Sequence, residues 1–149
     1  METNIQASML DQIRLALHDV TTVPPSKAKV FFKTGEGEYA QHDVFIGVTV
    51  PNLRAIAKTF SSTPLEDLQT LLSSKINEER LLALFILVKQ YQKADAVGKE
   101  TLYQFYMANL SRVNNWNLVD ASAHLILGAH LWDKDRAILL TLVRSESLW

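Results

Sequence analysis

"EERLLALFILVKQYQKA", residues 78–94, decides what kind of chain this is. Leu81 to Val88 is an unbroken apolar run, so the helix it predicts has almost no polar stripe to turn toward water. A helix that is apolar nearly all round lies buried between neighbours. At eight residues the run is far short of the roughly 20 that a bilayer demands. It is the expected centre of a helical domain, with Asn77 as its N-cap.

Working outward, the rest reads as further helices with turn signals at short intervals. Toward the N-terminus, "TPLE" (63–66) matches a capping box, with Thr63 as cap and Glu66 reaching back. Pro51 opens "PNLRAIAKTF", where its missing N–H costs nothing. "GEGEYAQHDVFIGVTV" (35–50) holds three of the five glycines and no helical period, so it is a loop with an extended piece near Val44 to Val50. Before it, "SKAKVFFK" is a short helix ending ahead of Gly35, and "TTVPPS" separates it from the first helix. That first helix carries Ile5, Met9, Ile13 and Leu17 at four-residue spacing.

Toward the C-terminus come "KETLYQFYMANL", "LVDASAHLILGAHL" and "DRAILLTLVRS", the last starting after Asp133. The expectation is about eight helices with no strand ladder. Helix pairs recur at roughly 40 residues, the HEAT-type period. The fold class is therefore all-α, as a superhelix of stacked antiparallel pairs or, alternatively, a compact bundle. The chain reads as one domain over residues 1–149. Its final helix keeps an apolar stripe (Ile138, Leu139, Leu142, Val143) and the chain stops at an exposed Trp149, so further C-terminal repeats are expected.

Composition narrows the function. Hydrophobic residues are 48% and charged ones 21%, ordinary for a globular protein. With 15 Lys+Arg against 16 Asp+Glu the net charge is −1, so nucleic-acid binding needs a local basic patch. There is no cysteine, which excludes disulfides, thiolate metal sites and a cysteine nucleophile. The N-terminal segment is amphipathic and acidic, unlike a secretory signal, and the expected location is the cytoplasm.

Several motifs fail as sites. "KTGEGEY" (33–39) lacks the GK[ST] order of a phosphate loop and reads as a helix C-cap with a turn. In "DASAH", Asp120 and His124 share a helical face but Ser122 points about 200° away, so no triad assembles there. His18, His42, His124 and His130 show no metal-ligand spacing, and His124 and His130 are expected to be partly buried. Lys27, Lys29, Lys33, Arg54 and Lys58 are mostly a solvated face if taken singly, yet together they suit one side of a phosphate-binding groove.

"NNWNLVD" (114–120) carries more. Trp116 and Asp120 stand one helical turn apart on one face, with Asn115 or Asn117 as the helix cap. On spacing alone, core packing plus an acid near the positive helix end explains both. The other reading is an aromatic surface and a fixed negative charge set against a cationic ligand.

Together with "VFFKTGEGEYAQHDVFIGVTVPNLRAIAK" (30–58), "INEERLLALFILVKQYQKAD" (76–95) and "LWDKDRAILLTLVRSESLW" (131–149), that stretch resembles the DNA alkylation repair enzyme family, the HEAT-like DNA glycosylases. The resemblance runs from near residue 25 to the end. It implies a right-handed α-solenoid holding alkylated duplex DNA on a basic concave face and releasing N3- or N7-alkylated purines, with no metal or cofactor. The family's W-D-x-x-D motif places Trp116 as lesion contact and Asp120 as catalytic carboxylate, with Asn117 standing where the middle acid is expected. Lys33, Arg54 and Lys58 are the implied DNA contacts. No membrane and no obligate protein partner are implied. The rival is a non-catalytic helical-repeat module that binds DNA or protein.

Overall fold

The computed structural model describes residues 7–149, which form an all-helical array around one buried helix. Helix α1 spans Met9–Asp19 and starts at a reciprocal cap: the Ser8 side chain accepts from the Asp11 N–H while the Asp11 carboxylate accepts from the Ser8 N–H. Ile13 and Leu17 of its stripe are buried, whereas Ile5 lies outside the described residues. Helix α2 spans Pro25–Phe32 and buries none of its residues. Its left-handed cap is Lys33 itself, at φ 53°, two residues ahead of the expected Gly35. That is uncommon for a residue with a Cβ.

Helix α3 (Val50–Thr59) has Pro51 in its first turn, as expected. Helix α4 (Leu65–Leu72) departs from the capping box. Thr63 turns its hydroxyl back to the Phe60 carbonyl at 2.6 Å, and Pro64 occupies the cap position without a side-chain bond. Helix α5 (Asn77–Lys93) is the centre, buried without a break from Asn77 to Val88 and again at Tyr91. Asn77 is its first helical residue and not its cap, which is Ile76.

Helices α3, α4, α6 (Ala96–Ala108) and α7 (Trp116–Ser122) all pack on α5. Each fully buried leucine on it, such as Leu82, Leu84 and Leu87, contributes about 1.5–3 kcal/mol. The expected extended piece is a single parallel bridge between Val44 and Ile76. There Val44 donates to the Lys75 carbonyl and accepts from the Asn77 N–H at 2.8 Å, so the loop satisfies a donor at the head of α5.

Helix α7 runs on through a π-helical segment (His124–Gly128) into α8 (Ala129–Leu131), with the Gly128 N–H reaching the Ala123 carbonyl five residues back. The inserted residue turns the rod so that α8 presents His130 to α6 while α7 faces α5. Helix α9 (Ala137–Val143) begins later than expected, where the Asp135 carboxylate accepts from the Ala137 N–H. Its Leu140 and Val143 are exposed. Trp149 is exposed at its end but rests edge-on against Tyr39, ring centres 5.7 Å apart. No helix among the described residues is long and apolar enough to cross a membrane.

Candidate functional site

The start of α7 is set by Asn115, whose side-chain oxygen accepts the Trp116 N–H at 2.8 Å. Of the two asparagines the sequence offers as caps, this is the one used. Asn117 does something else. Its Nδ2 donates to Asn77 Oδ1 at 2.7 Å and its Oδ1 accepts from Asn77 Nδ2 at 3.3 Å, an amide pair that fastens α7 to α5.

From that start, Trp116 and Asp120 both line a cavity of about 430 Å³ between α2, α3, α5 and α7. The wall is largely apolar, formed by side chains such as Phe45, Leu53 and Phe85. Asp120 is exposed, and among the described residues its carboxylate has no hydrogen-bond or ion-pair partner. Trp116 is 36% exposed. One face of its ring is occupied by Phe32, which stacks on it at 5.2 Å and on Phe45 at 4.5 Å, and Phe31 meets Trp116 edge-on at 5.7 Å. The aromatic wall is thus a group of four rings drawn from α2, the loop and α7.

The cationic residues divide. Arg54 lines the same cavity, its guanidinium held 4.4 Å above the Phe85 ring. A cation over an aromatic face is attracted by the ring quadrupole, which leaves the guanidinium edge free to donate. Lys33 and Lys58 are exposed but do not line the cavity, and Lys27 and Lys29 are exposed on α2. Lys33 follows directly on Phe32 and so stands beside the aromatic wall.

Behind the wall lies a polar layer that sequence reasoning missed. The Asp43 carboxylate, with no exposed side-chain surface, pairs with Arg80 through Oδ1. Its Oδ2 accepts from Asn115 at 2.7 Å and from Asn77 at 2.9 Å. Arg80 also donates to the Ser74 carbonyl and to Asn114, while its Nε–H finds no partner among the described residues. Beside it the buried Glu78 carboxylate accepts the backbone N–H groups of Ile46, Gly47 and Val48. Gly47 is required there, since at φ 85° a Cβ would fall 1.8 Å from the Val23 carbonyl oxygen.

The sequence did hold a signal for this layer. Three charged residues, Glu78 to Arg80, lead into a helix that is apolar all round, so its first turn is buried too and its charges need partners.

The remaining motifs resolve simply. Ser122 is buried and bonded to Tyr106 and to the Leu118 carbonyl, apart from any triad. His124 is exposed, where partial burial was expected, and His130 is buried between the Tyr91 hydroxyl and the Glu100 carboxylate. That bond contributes, after one from Gln104, to holding the Glu100 carboxyl below its ordinary pKa.

Compared with known proteins, residues 23–149 match the family model described as DNA alkylation repair enzyme. The match takes in α2 to α9 and every site residue named above, leaving only α1 and the chain before residue 23 outside it. No curated protein and no solved structure matches the chain.

Proposed function

Because the chain belongs to the DNA alkylation repair enzyme family, we propose that it is a DNA glycosylase hydrolysing the N-glycosidic bond of N3- or N7-alkylated purines in duplex DNA. On this reading the helices form HEAT-like pairs of a right-handed solenoid, and the duplex lies across the face that carries Arg54, Lys33 and Lys58. The observation that carries the proposal is the bare carboxylate of Asp120 at an aromatic, largely apolar wall. An unpaired carboxylate in such surroundings adds little to stability and is free to meet a cation.

The chemistry follows from the lesion. Alkylation at N3 or N7 leaves the purine cationic, so the base departs as a neutral molecule with the electrons of the glycosidic bond and needs no strong acid. Positive charge then develops on the deoxyribose, as in glycoside hydrolysis generally. Asp120 stabilises that charge and takes the proton of the water that attacks C1′. Trp116, with one face held by Phe32, offers its remaining surface to the cationic base or the sugar. Arg54 neutralises a phosphate at the cavity edge, with Lys33 and Lys58 farther out.

The test is release of free alkylated purine from methylated duplex DNA by the parent and by Asp120→Asn. Release by the parent, lost in Asp120→Asn while helicity and salt-sensitive DNA binding persist, is the expected result. Equal release by both removes Asp120 from the chemistry. Salt-sensitive DNA binding with no release by either protein instead favours the non-catalytic DNA-binding module.

A further inference from the structure

Asp43 is a fully buried carboxylate that the chemistry above does not use. It lies in the loop between α2 and α3, 73 positions before the residue whose N–H its partner caps (Trp116 minus Asp43). Its two oxygens collect donors from separate parts of the chain: Arg80 and Asn77 on α5, and Asn115 ahead of α7. The neighbouring His42 ring stands 3.3 Å from Oδ1.

Asn115 is the hinge of the arrangement, because an amide can donate and accept at once. Its Nδ2 donates to Asp43 Oδ2 while its Oδ1 accepts the Trp116 N–H, so the direction of that amide fixes where α7 begins. A slip of the chain by one residue along α7 would turn Trp116 and Asp120 by about 100° about its axis, away from the face that lines the cavity.

Resting on the glycosylase reading, we propose that Asp43 is a positioning residue: through Asn115 it sets the register of α7 and thereby aims Trp116 and Asp120 into the cavity. Burial of the Asp43–Arg80 pair suits that role. A buried ion pair is a poor source of net stability but a strong selector of one arrangement, since any other start to α7 leaves a charge without its donors. Asn117, paired with Asn77, braces the same turn from the other side.

The experiment uses the full chain with Trp132→Phe and Trp149→Phe, so that Trp116 is the remaining tryptophan. Into it go Asp43→Asn, which sets an amide N–H against one of the donors, and the milder Asn115→Ser. Serine still caps the helix but is too short to bridge to Asp43, so this variant folds even if Asp43→Asn does not. Leu68→Ala, a core truncation away from α7, serves as a control for lost stability alone. The readouts are Trp116 emission with acrylamide quenching, melting temperature, and single-turnover release of alkylated purine, with Asp120→Asn alongside.

The expected result is a changed Trp116 emission and at least a tenfold slower release in Asn115→Ser, with DNA affinity kept. Leu68→Ala melts earlier but keeps both the parent's emission and its rate. Unchanged emission in Asn115→Ser overturns the proposal, whatever the activity. Changed emission with an unchanged rate, in a parent whose release depends on Asp120, overturns it as well. If the parent's release does not depend on Asp120, the glycosylase reading falls, and the emission alone then decides whether Asp43 sets α7.

Discussion

Two aspartates stand beside α7, one against its cap and one on its cavity face, and their surroundings could hardly differ more. Asp43 has no exposed side-chain area and accepts three hydrogen bonds, from Arg80 and Asn77 on α5 and from the α7 cap. Asp120 is exposed, partnerless among the described residues, and set at the edge of an apolar cavity. On the proposed function, the difference separates scaffold from chemistry. A buried carboxylate already held by three donors has little left to offer a ligand, and removing it unbalances the fold. A bare carboxylate contributes almost nothing to the fold and keeps its charge for whatever enters.

The sharpest way to break that comparison is to neutralise each side in turn. Asp120→Asn is expected to lower single-turnover release by about a hundredfold or more, the size of one well-placed electrostatic contact in a transition state. Its stability is expected to stay within about 0.5 kcal/mol of the parent, as for a surface change without partners. A large loss of stability in that variant would show that Asp120 is part of the scaffold after all.

On the other side, Arg80→Met strands the Asp43 carboxylate without its counter-ion. The expected loss is about 3–5 kcal/mol of unfolding free energy, read from the urea midpoint. A midpoint unchanged from the parent would mean that water or another donor reaches Asp43, and the contrast with Asp120 would collapse.

The same contrast explains what could be read from the sequence. The central helix, the buried Ile13 and Leu17 of the α1 stripe, Pro51 in the first turn of α3 and the shared face of Trp116 and Asp120 all follow from local spacing and helix-start preferences, and each is found. Asp43 was not legible. It sits in a loop without a period, among Glu36 and Glu38, which are solvated, and its counter-ion is 37 residues away (Arg80 minus Asp43). Asn77 was misread for a related reason. An asparagine before an apolar run is an ordinary cap, but here the loop at Val44 already accepts its backbone N–H and its side chain is drawn to Asp43 and Asn117. Thr63 fails as a cap because the Phe60 carbonyl captures its hydroxyl first. The sequence places Phe31 and Phe32 on a short helix and says nothing of their partners; only the tertiary arrangement brings Phe32 between Phe45 and Trp116.

That stack yields the next prediction. Helix α2 buries no residue, so its hold on the domain comes chiefly through Phe32 and the rings on either side. Phe32→Ala is expected to cost about 2 kcal/mol, below the range for a fully buried phenylalanine because this one is only half-buried. Amide exchange in residues 25–33 is expected to speed up while α5 keeps its protection. Uniform acceleration across α5 would show that the aromatic wall supports the whole core and not α2 alone.

The smallest effect lies at the far end of α7. Ser122 gives its proton to the Leu118 carbonyl at 2.6 Å, so the buried Tyr106 hydroxyl, 3.0 Å away, donates to Ser122 Oγ. Burial is the leading cause that raises the Tyr106 phenol above its ordinary pKa, opposed in part by Ser122, whose hydroxyl can turn to donate to the ionised phenol. A group whose folded pKa is raised contributes stability that is fully present below its unfolded value, about 10 for a phenol, and lost as the pH climbs through the folded one. Tyr106→Phe therefore loses about 1 kcal/mol at neutral pH, the worth of one buried hydrogen bond, but has no phenol to ionise at this position. Above about pH 10 the parent declines faster than the variant and their urea midpoints converge. The raised Tyr91 and Tyr103 are common to both proteins and cancel in the difference. Midpoints that stay parallel into the alkaline range would mean that Tyr106 meets solvent, and that the packing of α6 against the end of α7 is looser than the hydrogen bond to Ser122 requires.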